Sequence, residues 1–378
     1  VSWAKMSMLI AIDGPPGVGK TTRIIAEAGS WPADAAIVTY TRDAAGVLEQ
    51  RAPHLRSGTV YSLTWPYVKP FSSGSTTGFQ ATSGYRERRV AHLMDPALEQ
   101  YTQDAPSRQP KRLDSELAQV LHGWDGRGKA PFNLNKAIPK GELRYILPMA
   151  KWVATGCPMA SAEKCSVLAI DEAQDMSALE VSAALGMLAD GGTAYAYGDP
   201  GQSIFSASKG VLSGALPAAY ANADDLRLME NGWRVGDPVA TLAAGVLRSY
   251  WKRGSSSFRA RHRTLVMPWD EYSRPVKGLV LGYSRAIVAK YFRAWGMTRT
   301  AVVPTVAKAS EELVLCTGHA AKGAEADDVY LLPWSRPGME KLRTRNHDVI
   351  RLLYVMMTRA KRRLHLPRPL HAAIRSLA

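Results

Sequence analysis

The chain has 378 residues, 46% of them hydrophobic, which allows two or three domains with real cores and excludes a disordered chain. Lys and Arg number 48 against 33 Asp and Glu, a net charge of +15, which fits an acidic partner such as nucleic acid or a generally basic soluble protein. Cys157, Cys165 and Cys316 match neither a disulfide framework nor a zinc site, and no apolar run is long enough to span a membrane. The expectation is a soluble, cytoplasmic protein with no membrane partner and no exported form.

In chain order, the apolar run 8–12 predicts a short buried strand. It runs into Gly14-Pro15-Pro16-Gly17-Val18-Gly19-Lys20-Thr21, which fits G-x-x-x-x-G-K-[ST] at every fixed position. Residues 21–28 read as the helix that follows. Glycines let backbone N–H groups turn inward around an anion, and the helix N-terminus adds its positive dipole end. Lys20 would reach the β- and γ-phosphates of a nucleotide, and the Thr21 hydroxyl would hold Mg2+.

Residues 35–39 predict a second strand and 42–51 a helix. Tyr40 and Thr41 stand at the strand's carboxyl end, where open α/β sheets bind ligands. Residues 59–63 (TVYSL) read as a third strand that carries Tyr61. Between about 70 and 148 the strand–helix rhythm lapses, and this stretch reads as an inserted, mainly helical subdomain. Helical pieces at 86–100 and 113–121 alternate there with Gly/Pro-rich loops, and Trp124, Phe132, Tyr145 and Trp152 argue for packing.

Residues 167–170 form an apolar strand ending in Asp171-Glu172. A carboxylate at a strand end is placed to hold Mg2+, and its neighbour to polarise an attacking water. Residues 193–197 predict another strand, followed by Gly198-Asp199-Pro200-Gly201-Gln202-Ser203. Gln202 is there either a γ-phosphate sensor or part of an ordinary Asp-Pro-Gly turn. Trp233 and Arg234 precede a helix at 238–250. Strands at 313–316, 329–332 and 361–366 and a helix at 349–360 repeat the α/β style without a second P-loop. Residues 248–308 hold 13 Lys/Arg against Asp270 and Glu271, and residues 341–378 hold 10 against Asp348, so the positive field lies in the second half.

The ordered set resembles the UvrD/Rep-like branch of superfamily 1 helicases. The P-loop looks like motif I, VTYTRDAAGVLEQR (38–51) like motif Ia, and TVYSL like the motif after it. AIDEAQD (169–175) looks like motif II and YGDPGQSIF (197–205) like motif III. Residues 230–234 resemble motif IV, TGHAAKGAE (317–325) motif V and RLLYVMMTRAK (351–361) motif VI. The resemblance implies an α/β fold of two RecA-like P-loop domains with parallel sheets, and ATP between them. Domain 1 would comprise 1–69 and 150–225, with the insertion at 70–149. Domain 2 would be 226–378, with a short basic insertion near 250–275.

Several roles come with the resemblance. ATP would be held by Gly14, Gly17, Gly19, Lys20, Thr21 and Thr22, with Trp233 on the base and Glu325 on the ribose. Mg2+ would sit on Thr21 and Asp171. Gln202 and Arg234 would contact the γ-phosphate, and Arg359 would be the arginine finger. Tyr40, Thr41, Tyr61 and His319 would line the path of single-stranded or tailed duplex DNA, with replication or repair proteins as further partners. An ATPase that moves on single strands without efficient unwinding, or an ATP-gated nucleic-acid-binding switch, would use much of the same machinery.

The chain departs from the family in places. Tyr61 stands where the family usually has His, Gly232 where it has Asn, and Ser206-Ala207-Ser208 where a base-stacking aromatic is usual. Seven residues before the first strand leave no room for the upstream Gln that reads adenine, so relaxed base choice is expected.

Overall fold

The structure, a computed structural model, describes residues 7–72, 149, 152–153, 157–204, 217–232, 234–248, 259–270, 272–297 and 312–377. The insertion expected at 70–149 lies almost wholly outside the described residues, as do Trp233 and 205–208. The chain divides into two units. The first is Val1–Ile12, Thr21–Gly198 and Lys209–Leu226, and the second is Asp13–Lys20, Asp199–Ser208 and Arg227–Ala378.

In the first unit, β1 (Met8–Asp13), β2 (Ala36–Thr39), β3 (Arg56–Thr59), β4 (Cys165–Ile170), β5 (Leu188–Gly198) and β6 (Asp225–Leu228) build one sheet, ordered β3-β2-β4-β5-β1-β6. β2 runs parallel to β3 and β4, and β4 parallel to β5. Every residue of β2 is buried, as is all of β1 except Met8. Continuous apolar runs of this kind suit strands covered on both faces. The helices α1 (Lys20–Ala28), α2 (Arg42–Arg51), α3 (Val60–Val68), α4 (Ala178–Gly186) and α5 (Ala218–Ala221) accompany them. Thr41 caps α2 by accepting from the Ala44 N–H at 3.2 Å, and α2 buries Ala45 and Leu48. Trp152 is fully buried in this core and stacks on Tyr67, ring centroids 6.3 Å apart.

The expected third strand at 59–63 is corrected. β3 ends at Thr59, and Val60 opens α3. The Thr59 hydroxyl accepts from the Ser62 N–H at 3.1 Å, and this cap turns the chain into a helix despite its β-branched start. Tyr61 therefore stands on the first turn of α3.

In the second unit, β7 (Asn231–Gly232) pairs with β9 (Arg259–Ala260). The larger sheet contains β8 (Asp237–Pro238), β10 (Arg263–Trp269), β11 (Gly278–Gly282), β12 (Leu313–Thr317), β13 (Ala326–Leu331) and β14 (Ala360–Pro367). Its order is β12-β11-β13-β14-β10-β8, and every neighbouring pair is parallel. Around it lie α6 (Val239–Arg248), α7 (Arg285–Ala294), α8 (Arg336–Arg343), α9 (His347–Met357) and α10 (Arg368–Leu377). From Ile350 to Met357 every residue of α9 is buried, as expected for a helix enclosed on all sides.

Both units are thus six-stranded α/β sheets of parallel strands, the fold class expected. β10 and β11 were not expected as strands. β10 lies in the stretch read as a basic insertion near 250–275; it carries Pro268 and leaves Leu265 and Met267 exposed, so its pattern is weak. β11 is a short apolar run between glycines, which periodicity cannot assign.

All three cysteines are buried, and the described residues hold no disulfide. Burial pushes the Cys165 thiol up to about 11 and the Cys316 thiol up to about 12, away from reactive thiolate character. Among the described residues, no helix is long and apolar enough to cross a membrane.

Candidate functional site

In the first unit, the chain leaves β4 at Asp171, whose N–H donates to the Val38 carbonyl on β2 at 2.8 Å. Its buried carboxylate accepts from the Thr21 hydroxyl at 2.8 Å and from the Glu172 N–H at 3.0 Å. A hydroxyl and a carboxylate in contact form a pair of hard oxygens. Mg2+ is usually bound by one or two such groups together with substrate phosphates, so Thr21 and Asp171 fit that ion.

Glu172 has φ +54°, in the left-handed region, where a non-glycine residue is strained by about 1 kcal/mol. Its carboxylate accepts from Gln174 Nε2 at 2.5 Å. A Cβ at Gly198 would stand 2.1 Å from Gln174 Oε1, so only glycine at the end of β5 admits that amide. Beyond the turn, Ser177 caps α4, and Glu180 reaches back to the Ser177 N–H at 2.7 Å. The Glu172 carboxylate is therefore held by the Gln174 amide, and the chain beyond it is fixed by the α4 cap.

In the second unit, Lys20 is buried and donates to the carbonyls of Gly14 at 2.7 Å and Pro15 at 3.3 Å. Gly17 and Gly19 have φ +75° and +85°, conformations that favour glycine. A Cβ at Gly17 would lie 2.1 Å from the Arg234 Cβ, so the loop and Arg234 meet at that glycine. Arg234 forms an ion pair with Glu325, and Lys361 Nζ approaches the other Glu325 oxygen at 2.6 Å. Burial alone would raise the Glu325 carboxyl, but Arg234, then Lys361 and Arg359, outweigh it and hold Glu325 below the usual carboxylate range. Thr22, which belongs to the first unit, is exposed on α1.

Gln202 and Arg359 also come together in this unit. Arg359 is 1% exposed, and its Nη2 donates to Gln202 Oε1 at 2.9 Å. Its other donors reach the Val355 carbonyl at 2.9 Å, the Ala324 carbonyl at 3.3 Å and the Thr358 hydroxyl at 3.3 Å. The guanidinium is thus fixed by the end of α9 and the loop before β13. Gln202 closes a short turn in which Asp199 accepts from the Gly201 N–H at 2.9 Å. The Asp-Pro-Gly turn and the contact with Arg359 coexist.

Of the residues expected along a nucleic-acid strand, Tyr40 and Tyr61 are half-buried against the core of the first unit. Thr41 is exposed, with its hydroxyl engaged as the α2 cap. His319 is exposed in the loop after β12. Trp233, expected on the base, lies outside the described residues.

Sequence reading overlooked four participants: Lys361 on Glu325, Lys322 on the Gln202 carbonyl at 2.9 Å, Asp199, and Tyr354. Each falls inside or beside a motif string quoted above. None carries a pattern of its own, because its role depends on which loops the sheet brings together.

Some solved structures resemble the chain at low identity. The structure of PRRSV helicase matches with a TM-score of 0.46 and 16% identity, over 97% of this chain and 54% of that one. Arterivirus nonstructural protein 10 (helicase) matches at 0.46 and 15%, over 98% and 62%, and its complex with DNA at 0.45 and 14%, over 98% and 63%. The chain spans between 54% and 63% of the length of these proteins. No curated protein matches it in sequence. The family model for the AAA domain matches residues 1–208, more than half of the chain and the part that carries the P-loop, Asp171, Glu172 and Gln202, so the chain belongs to the AAA domain family.

Proposed function

We propose that this chain is an ATP-dependent helicase or translocase of superfamily 1, UvrD/Rep-like, that moves 3′ to 5′ on single-stranded DNA. The observation that carries the reading is the 2.8 Å contact between the P-loop hydroxyl of Thr21 and the strand-end carboxylate of Asp171, with Glu172 next in the chain. Gly14, Gly17, Gly19 and Lys20, with Thr22 behind them, bind the ATP phosphates. Thr21 and Asp171 would hold Mg2+, which would supply positive charge against the phosphates. Glu172 orients the attacking water and accepts its proton. Gln202, Arg234 and Arg359 meet the charge that develops on the γ-phosphate. Glu325 serves the ribose and Trp233 the base. Tyr40, Thr41, Tyr61 and His319 touch the DNA strand, and ATP turnover drives its grip and release. Residues 1–69 with 150–225 and residues 226–378 act as the two domains, with tailed duplex as substrate and replication or repair proteins as partners.

The test measures ATP turnover with and without single-stranded DNA, and displacement of duplexes bearing 3′ or 5′ tails. Turnover should require Mg2+ and rise with DNA. Glu172→Gln should retain ATP binding and lose about a hundredfold or more in kcat. Turnover indifferent to DNA would overturn the translocase reading, and a preference for 5′ tails would overturn the polarity. Strong turnover with weak displacement would identify a translocase that unwinds poorly.

A further inference from the structure

The loop after β5 is tied to α9 by buried hydrogen bonds that the roles above leave unused. Asp199 and Tyr354 are fully buried, and Gln202 is 7% exposed. Asp199 Oδ2 accepts from Tyr354 Oη at 3.0 Å and from Gln202 Nε2 at 2.9 Å, while Oδ1 accepts from the Gly201 N–H at 2.9 Å. The far end of the Gln202 amide, Oε1, accepts from Arg359 Nη2 at 2.9 Å.

A carboxylate only accepts and a guanidinium only donates, so the amide between them fits one way round. Its NH2 faces Asp199 and its carbonyl faces Arg359. The flipped amide would set carbonyl against carboxylate and NH2 against guanidinium, replacing two hydrogen bonds with two repulsions in a buried site, where such contacts are most costly. Burial first, and then the Asp199 carboxylate, push the Tyr354 phenol well above its usual range, so its hydroxyl keeps the proton it donates.

The backbone is held as well. Lys322 donates to the Gln202 carbonyl at 2.9 Å, and Arg351 to the Ser203 carbonyl at 3.4 Å. A Cβ at Gly201 would meet Leu247 Cδ1 at 2.7 Å and Tyr354 Cε1 at 3.0 Å, so the turn packs closely against α6 and α9.

We propose that Asp199 and Tyr354 are positioning residues that fix the orientation of the Gln202 amide, so that its carbonyl is the group presented to Arg359. The proposal rests on the reading of Gln202 and Arg359 as part of an ATPase site. An Asn at 199 offers either an acceptor or a donor, so Asp199→Asn removes the unique orientation. Its kcat for ATP should fall about tenfold, the effect of one charged buried hydrogen bond, with KM within about twofold. Tyr354→Phe removes one donor to Asp199 and should lower kcat about threefold.

The decisive measurement is a double-mutant cycle. If Tyr354 acts through the amide, Tyr354→Phe has no further effect on kcat in a Gln202→Ala background; a merely structural Tyr354 would lower kcat equally in both. The side-chain amide resonance of Gln202 in 15N-glutamine-labelled protein, assigned by its loss in Gln202→Ala, should shift in both Asp199→Asn and Tyr354→Phe, whether or not the chain turns over ATP. Should Asp199→Asn fail to fold, Tyr354→Phe carries the cycle and the spectrum alone. An unshifted amide with an additive cycle overturns the proposal while leaving the ATPase reading intact. A wild-type chain without turnover overturns the ATPase reading, and the amide spectrum still decides the orientation.

Discussion

At Glu325, one carboxylate accepts two cations, Arg234 and Lys361. Its folded-state carboxyl lies below its ordinary value, the net result of burial opposed by Arg234, Lys361 and Arg359. A depressed carboxyl contributes stability that is present above its unfolded value and lost as pH falls through the folded one. Glu325→Gln should therefore be less stable than wild type near neutrality, and the gap should close as the pH falls below the ordinary carboxylate range. Urea unfolding across that range checks this, and a constant gap would mean that the pair contributes through packing alone. The P-loop glycines, Asp171, Glu172 and Arg359 were singled out in sequence as candidates because motif strings contain them. The charge balance around Glu325 was not, because Arg234, Glu325 and Lys361 come from three separated segments.

At the scale of elements, the clearest case is the step from β3 to α3. TVYSL has strand propensity, yet a single side-chain hydrogen bond at Thr59 starts a helix there. Propensity is a weak prior that a cap and tertiary packing override. Thr59→Val discriminates between the readings, because it keeps the β-branched shape and removes the cap. It should destabilise the protein by about 1 kcal/mol, close to Thr59→Ala. If these residues drew their stability from strand pairing, Thr59→Val would be neutral or better than wild type in the same denaturant titration. α2 was read to the residue at 42–51, and the structure adds that Thr41 caps it and that Ala45 and Leu48 form its buried face. β10 was hidden by Pro268 and by the exposed Leu265 and Met267, which blur its pattern.

For the whole molecule, the charge of +15 is the dominant long-range property. Binding of single-stranded DNA through phosphates releases counterions, with a slope of about −0.7 per phosphate neutralised. If about five phosphates are engaged, affinity should fall about a hundredfold between about 50 and about 200 mM salt. Fluorescence anisotropy of a labelled strand measures this. A flat response would mean that the basic residues serve solubility rather than binding.

The amino-acid sequence by itself determined the P-loop, the strand-end carboxylates, the alternation of buried strands and helices, and the net charge. All of these act through local pattern: a turn that needs glycine, an apolar run that must be buried, a sum of charges. Only the tertiary structure decided that Arg234 meets the loop at Gly17, that Glu172 takes a left-handed backbone, and that Gly198 makes room for Gln174. It also decided that the Gln202 amide lies between Asp199 and Arg359. Those contacts join residues far apart in the chain; Gln202 and Arg359, for example, are 157 positions apart. Strand order and the donor or acceptor nature of each buried group select them, and neither can be read from neighbours along the chain.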